Sequence, residues 1–176
     1  MEDDTKPAVP PESAPPPDLP AGPFSGRDTF RDLVRTALAA ADAYGWRELI
    51  LCDADFSDWP LGERAVAESL NAWSRRGRKC ILFARNWDDA MTRHARFVNW
   101  RRTWAHIIDA RSCRSADPVD FPSAIWTPSW VLERRDSAQS SGWMGPEADR
   151  RVALREKISE WMSKSSSGFP SHTSGL

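Results

Sequence analysis

Three short apolar runs, each reached through a segment of helical period, constrain this chain more than any other feature. Glu48–Asp53 (ELILCD), Arg78–Ala84 (RKCILFA) and Ala105–Ala110 (AHIIDA) have the length and apolar character of strands. Ahead of the first, Arg27–Tyr44 places Phe30, Leu33, Val34, Ala37, Leu38 and Ala41 on one helical face, and Gly45 follows as a C-cap. Leu61–Arg76 repeats the pattern with Val66, Leu70 and Trp73 and stops at Gly77. Asn86–Trp104 reads as a third helix, capped by Asn86, with Trp87, Met91, His94, Phe97, Val98 and Trp104 on its apolar side. Strands alternating with helices give parallel pairing through right-handed crossovers. RKCILFA is apolar without alternation, which places it centrally, covered on both faces.

After Cys113 the pattern changes. A Pro-rich loop leads to two short strands, Ile125–Thr127 and Trp130–Arg134, which Pro128 demotes toward a sheet edge. Ser137–Gly145 reads as loop, and Pro146–Met162 as a final amphipathic helix. The expected fold is therefore a single three-layer α/β domain. Its mostly parallel βαβαβ sheet carries an antiparallel edge hairpin and a C-terminal helix. Residues 1–26, rich in Pro and acid, have too few large apolar side chains to offset ordering entropy and are expected to be a disordered arm. Residues 27–163 form the domain, and residues 164–176 a flexible tail.

Charge and cysteine usage narrow the function. The formal net charge is −1, which gives no general attraction to nucleic acid or anionic membrane. Cys52, Cys80 and Cys113 form neither CxxC nor a zinc spacing, and an odd count without a framework fits a reducing compartment. The acidic, Pro-rich start lacks the apolar core of a signal peptide, and no run reaches membrane-spanning length. A cytoplasmic location is expected.

Asp53, Asp55 and Asp58 follow the first strand, at the sheet edge where ligands of open α/β folds bind. They admit two readings. In one, Asp58 caps the next helix and Asp53 pairs with an Arg. In the other they do chemistry: the strand followed by DADFS resembles the first motif of haloacid-dehalogenase-type phosphohydrolases. That resemblance implies Asp53 as nucleophile and Asp55 as general acid/base beside Mg²⁺. The later motifs of that family are missing, since no Ser or Thr closes ILFA and Asp88–Asp89 opens a helix.

The third helix carries Arg93, Arg96, Arg101 and Arg102 with His94, Trp100 and Trp104 interleaved. From Arg75 to Arg114 there are eleven basic residues against three acids. Arginines beside exposed aromatics hold phosphates and stack bases, so single-stranded nucleic acid is an alternative ligand for this stretch. No GxGxxG or GxxxxGK[ST] cradle is present.

The order of elements resembles one half of the phospholipase-D-like fold, with IWTPSWVLERRDSAQSSGWMG where such a half carries its catalytic hairpin. That family's HxK is absent from Ile125 to Gly145, so the resemblance implies a degenerate, non-hydrolytic member. The sequence thus reads first as a non-catalytic binding or interaction module. Its expected contact surface gathers Asp53, Asp55, Asp58, Arg85, His94, Arg101 and Arg102. A protein or a small anionic ligand is the expected partner, in preference to nucleic acid or membrane. No cofactor is expected; Mg²⁺ enters only with the phosphohydrolase reading.

Overall fold

Strand β2 (Glu48–Asp53) explains the layering. Leu49 and Leu51 join one apolar cluster, while Ile50 and Cys52 join a second. A strand whose side chains alternate between two buried faces has no polar side, which is why it reads as one apolar run. Strand β3 (Lys79–Ala84) does the same, with Cys80 and Leu82 on one face and Ile81 and Phe83 on the other. The computed structural model describes residues 18–171.

Helices α1 (Arg27–Tyr44), α2 (Arg64–Ser74) and α4 (Ala95–Thr103) supply the first cluster through Phe30, Val34, Leu38, Leu70, Trp73, Phe97 and Trp100. Helix α5 (Ala148–Met162) covers the other face with Leu154 and Ile158. The three-layer α/β expectation holds at this level.

The sheet is not mostly parallel. Among the described residues its eight strands run β1-β7-β6-β5-β2-β3-β4-β8, where β1 is Gly22–Phe24, β4 Ile108–Ser112, β5 Ser123–Trp126, β6 Val131–Asp136, β7 Ser141–Gly145 and β8 Ser166–Ser167. Among the described strands β2-β3-β4 pair in parallel and the other pairings are antiparallel. The expected edge hairpin lies inside the sheet instead, with β5 hydrogen-bonded to β2. Pro128 is harmless there because it occupies the turn between β5 and β6, where Thr127 closes the corner by donating from N and Oγ1 to the Trp130 carbonyl.

The expected loop 137–145 contains β7. Its Gly142 lies so close to β6 that a Cβ would sit 1.9 Å from the Glu133 carbonyl oxygen. The expected third helix breaks at His94 into α3 (Asp88–Arg93) and α4. Asn86 still accepts the Asp88 amide at 3.2 Å, one position outside the cap. In place of a strand from Ala105, a 3₁₀ turn (Ala105–Ile107) leads into β4.

Both ends of the domain extend beyond the expected limits. Leu19 packs on the core, the Pro20 carbonyl accepts the Trp130 indole N–H at 2.9 Å, and β1 pairs with β7. At the other end β8 pairs with β4, and Phe169 is buried between Trp87 and Phe97. Residues 1–17 of the expected arm and 172–176 of the expected tail lie outside the described residues. Among the described residues no helix is long and apolar enough to cross a membrane.

Candidate functional site

At the carboxyl end of β2 the acids meet an arginine that the sequence reading did not single out. Arg134, on β6, donates to Asp53 Oδ1 at 2.9 Å and to Asp58 Oδ2 at 3.2 Å. It also donates to Ser123 Oγ at 3.1 Å and lies 4.2 Å from the centre of the Phe30 ring. The other oxygen of Asp53 accepts the amides of Asp55 and Phe56 at 3.2 and 2.8 Å. This carboxylate therefore fixes the turn after β2, where Phe56 takes a left-handed φ of 59°. Asp55 accepts the Ser57 amide. Asp58 does not cap the next helix, whose N-cap is Glu63; it pairs with Arg134 and with Arg27 at 3.8 Å.

A cleft of about 580 Å³ lies over these residues, bordered by Pro118, Val119 and Arg135–Ala138. The alternative phosphohydrolase reading concerns Asp53 and Asp55 here. A phosphoryl-accepting Asp53 needs an unengaged oxygen, and both of its oxygens hold partners. Among the described residues no three His, Cys, Asp or Glu are grouped to hold a metal ion.

The remaining expected residues do not converge there. Arg85 donates from Nε to the Ala116 carbonyl at 2.8 Å, although its amide bonds the Ala54 carbonyl beside the cleft. His94 is buried with Nε2 2.9 Å from the Phe56 carbonyl, holding the broken helix against the turn. Arg101 is buried on the β4 side. Its Nε donates to the Phe169 carbonyl at 3.1 Å, and burial holds its pKa below the usual value. Arg102 is exposed on the last turn of α4.

The opposite end of the parallel strands has a different character. Arg75, Arg76, Arg78 and Lys79 follow α2 within five positions, and all four are exposed. The amides of Arg78 and Lys79 both donate to the Arg47 carbonyl, at 2.8 and 3.1 Å, which ties exposed Arg47 to the same edge. Helices α2 and α4 both lead into parallel strands, so their C-terminal turns, with Arg75 and Arg102, lie at this amino end. Among the described residues only Arg76 of these six forms an ion pair, with Asp42 at 2.6 Å. Cations at helix C-termini complement the helix dipoles, which stabilises the cluster without neutralising it. The count of basic residues from Arg75 onward was the available signal, but it pointed to the third helix.

That helix does not present an aromatic platform. Phe97 and Trp100 are buried, and Trp100 donates its indole N–H to Ser74 Oγ at 2.8 Å. Trp104 is half-buried and donates to Asn71 Oδ1 at 2.9 Å. The buried thiols of Cys52 and Cys80 are pushed up out of the reactive range by desolvation, so neither is a nucleophile at neutral pH.

No family model and no curated protein matches the chain. The domain is similar to the solved structure of TrmBL2, described as an archaeal chromatin protein with a novel mode of DNA binding, at a TM-score of 0.60 and 14% identity. The match covers 84% of this chain and 53% of the archaeal protein, so this chain spans about half the length of that relative. The expected kinship with a phospholipase-D-like half is thereby corrected: helix and strand order alone supported it, and the mixed sheet is instead similar to that of an archaeal chromatin protein.

Proposed function

We propose that this domain binds nucleic acid, holding the sugar-phosphate backbone along the basic rim formed by Arg47, Arg75, Arg78, Lys79 and Arg102. The observation that carries the reading is five exposed cations at one end of the sheet with no carboxylate partner among the described residues. Unpaired cations at a surface release counterions when they meet phosphate, which is the main source of sequence-independent affinity. The fold likeness to a protein described as DNA-binding chromatin supports the same reading.

Two expectations give way. A net charge of −1 argues against nucleic acid as partner. That figure averages over segregated charge: the Asp53–Asp58 turn lies at one end of the parallel strands and the basic rim at the other. A module for a protein or small anion at the acidic end is replaced as well, since Arg134 and Arg27 already pair with Asp53 and Asp58.

Fluorescence anisotropy with a labelled oligonucleotide, single-stranded and duplex, over a series of salt concentrations tests the proposal. Log affinity should fall linearly with log salt, with a slope set by roughly 0.7–0.9 per phosphate contacted. The variant Arg75→Gln/Arg78→Gln/Lys79→Gln should flatten that slope by about 2–3, the share of the three cations removed. Undetectable binding at low salt, or an unchanged slope in the variant, would sink the reading.

A further inference from the structure

A second cavity, of about 340 Å³, lies between α5 and the β6–β7 hairpin, within the size range of ligand pockets. Phe121, Val131 and Leu154 give it apolar walls, and Trp143 and Arg150 line it as well. The Arg150 guanidinium carbon lies 4.0 Å from the centre of the Trp143 ring, and among the described residues Arg150 has no carboxylate partner. Trp143 Nε1 is buried without an acceptor. By contrast, Arg135 and Lys157 on the same cavity are both held by Glu133, at 2.7 and 3.9 Å.

We infer that this cavity accepts a single unpaired nucleobase from a strand lying on the basic rim, an inference that rests on the nucleic-acid reading above. The chemistry matches. A guanidinium braced on an indole is a plane on which a base stacks, and apolar walls suit the flat faces of the base. Base edges carry the carbonyl and ring-nitrogen acceptors that both the Trp143 N–H and the Arg150 donors lack.

The position matches as well. Arg151, next to Arg150, donates to the Pro128 carbonyl in the β5–β6 turn. Ser129 of that turn accepts the Trp46 indole N–H at 2.7 Å, and Arg47 follows Trp46. The Arg150 end of the cavity therefore lies at the same end of the sheet as the rim. Extruding a base costs least from a single strand, so the pocket selects single-stranded over duplex partners.

The test compares a labelled single-stranded oligonucleotide with an abasic one of equal length, by anisotropy at fixed low salt. Wild type should bind the base-containing strand roughly tenfold more tightly, as expected for one stacked base. Arg150→Gln and Trp143→Phe should abolish or reduce that preference while leaving abasic binding unchanged, and near-UV circular dichroism establishes that each variant is folded. Arg75→Gln/Arg78→Gln/Lys79→Gln should weaken both strands alike. Equal wild-type affinity for the two strands, or a preference that survives Arg150→Gln, overturns the base pocket and leaves the rim standing. Binding of neither strand overturns the nucleic-acid reading itself.

Discussion

Arg134 Nη2 and Asp53 Oδ1 meet at 2.9 Å across 81 positions of sequence, and each side chain is under 5% exposed. The pair joins the last residue of a parallel strand to the middle of an antiparallel one, locking together the two halves of the mixed sheet. A buried ion pair is costly to break because the surviving charge keeps its desolvation penalty. Asp53→Asn and Arg134→Met should each lower stability by about 3–5 kcal/mol in urea denaturation. The double variant should cost less than the sum, since neither charge is then stranded. Single variants within about 0.5 kcal/mol of wild type would show that the pair does not hold the sheet together.

The helices and parallel strands of the first half were readable because their signals are local. Glu48–Asp53 and Arg27–Tyr44 fall where periodicity puts them, and Gly45 takes the left-handed φ of 63° expected of a C-cap. Arg134 was hidden because its role depends on a register set by pairing with β5 and β7, neither of which has a local signature of position in the sheet. A partial signal existed: Arg134 stands two residues after buried Leu132 and so shares its face. The basic rim was visible only as a count. Which cations share an edge follows from the crossovers, whereas the buried Phe97 lies on the apolar face that its helical spacing already marks.

Phe169 falls in the stretch expected to be a flexible tail, yet it is a core residue. Its ring stacks on Trp87 with centroids 4.7 Å apart and on Phe97 at 5.8 Å, while Gly168 donates its amide to the Ala110 carbonyl at 3.0 Å. The left-handed φ of 46° at Phe169 is a strain that the ring's burial must outweigh. Phe169→Ala should therefore cost about 3–5 kcal/mol, and Phe169→Leu less. Hydrogen exchange at the Gly168 amide reads the same event, because losing the anchor releases β8 from β4. Retained protection in Phe169→Ala would mean that backbone pairing alone holds this strand.

Gly142 has a stricter requirement than any left-handed glycine here. A Cβ would overlap the Glu133 carbonyl oxygen at 1.9 Å and approach Arg134 Cα at 2.9 Å, both backbone atoms that cannot rotate away. The contact adjoins the register shift between Arg134 and Asp136. Gly142→Ala should destabilise by about 3 kcal/mol or more, the upper end of overpacking costs, and should disturb the Arg134–Asp53 pair with it. Gly45→Ala, which meets no atom within 4 Å, should cost only about 1 kcal/mol from its backbone conformation. Denaturation midpoints of the two variants separate steric from conformational cost; equal effects would contradict the close approach.

The three cysteines give a probe of opening. All are buried, and desolvation pushes the thiol pKa of Cys52 and of Cys80 upward, so the folded state keeps both protonated. In the unfolded chain a thiol ionises near pH 8.5. The folded state therefore binds more protons than the unfolded state above that pH, and stability should be complete below it and decline as pH rises further. Thermal melts across this range should show the midpoint falling on the alkaline side. Cys113 differs: it is 5% exposed, and its thiol lies 4.0 Å from Ser115 Oγ and 3.8 Å from the Lys164 carbonyl, where the C-terminal segment crosses it. A maleimide followed by mass spectrometry should label Cys113 first, at a rate that Phe169→Ala increases, and reach Cys52 and Cys80 only through global unfolding. Fast native-state labelling of Cys52 would mean that β2 is not held in the sheet centre.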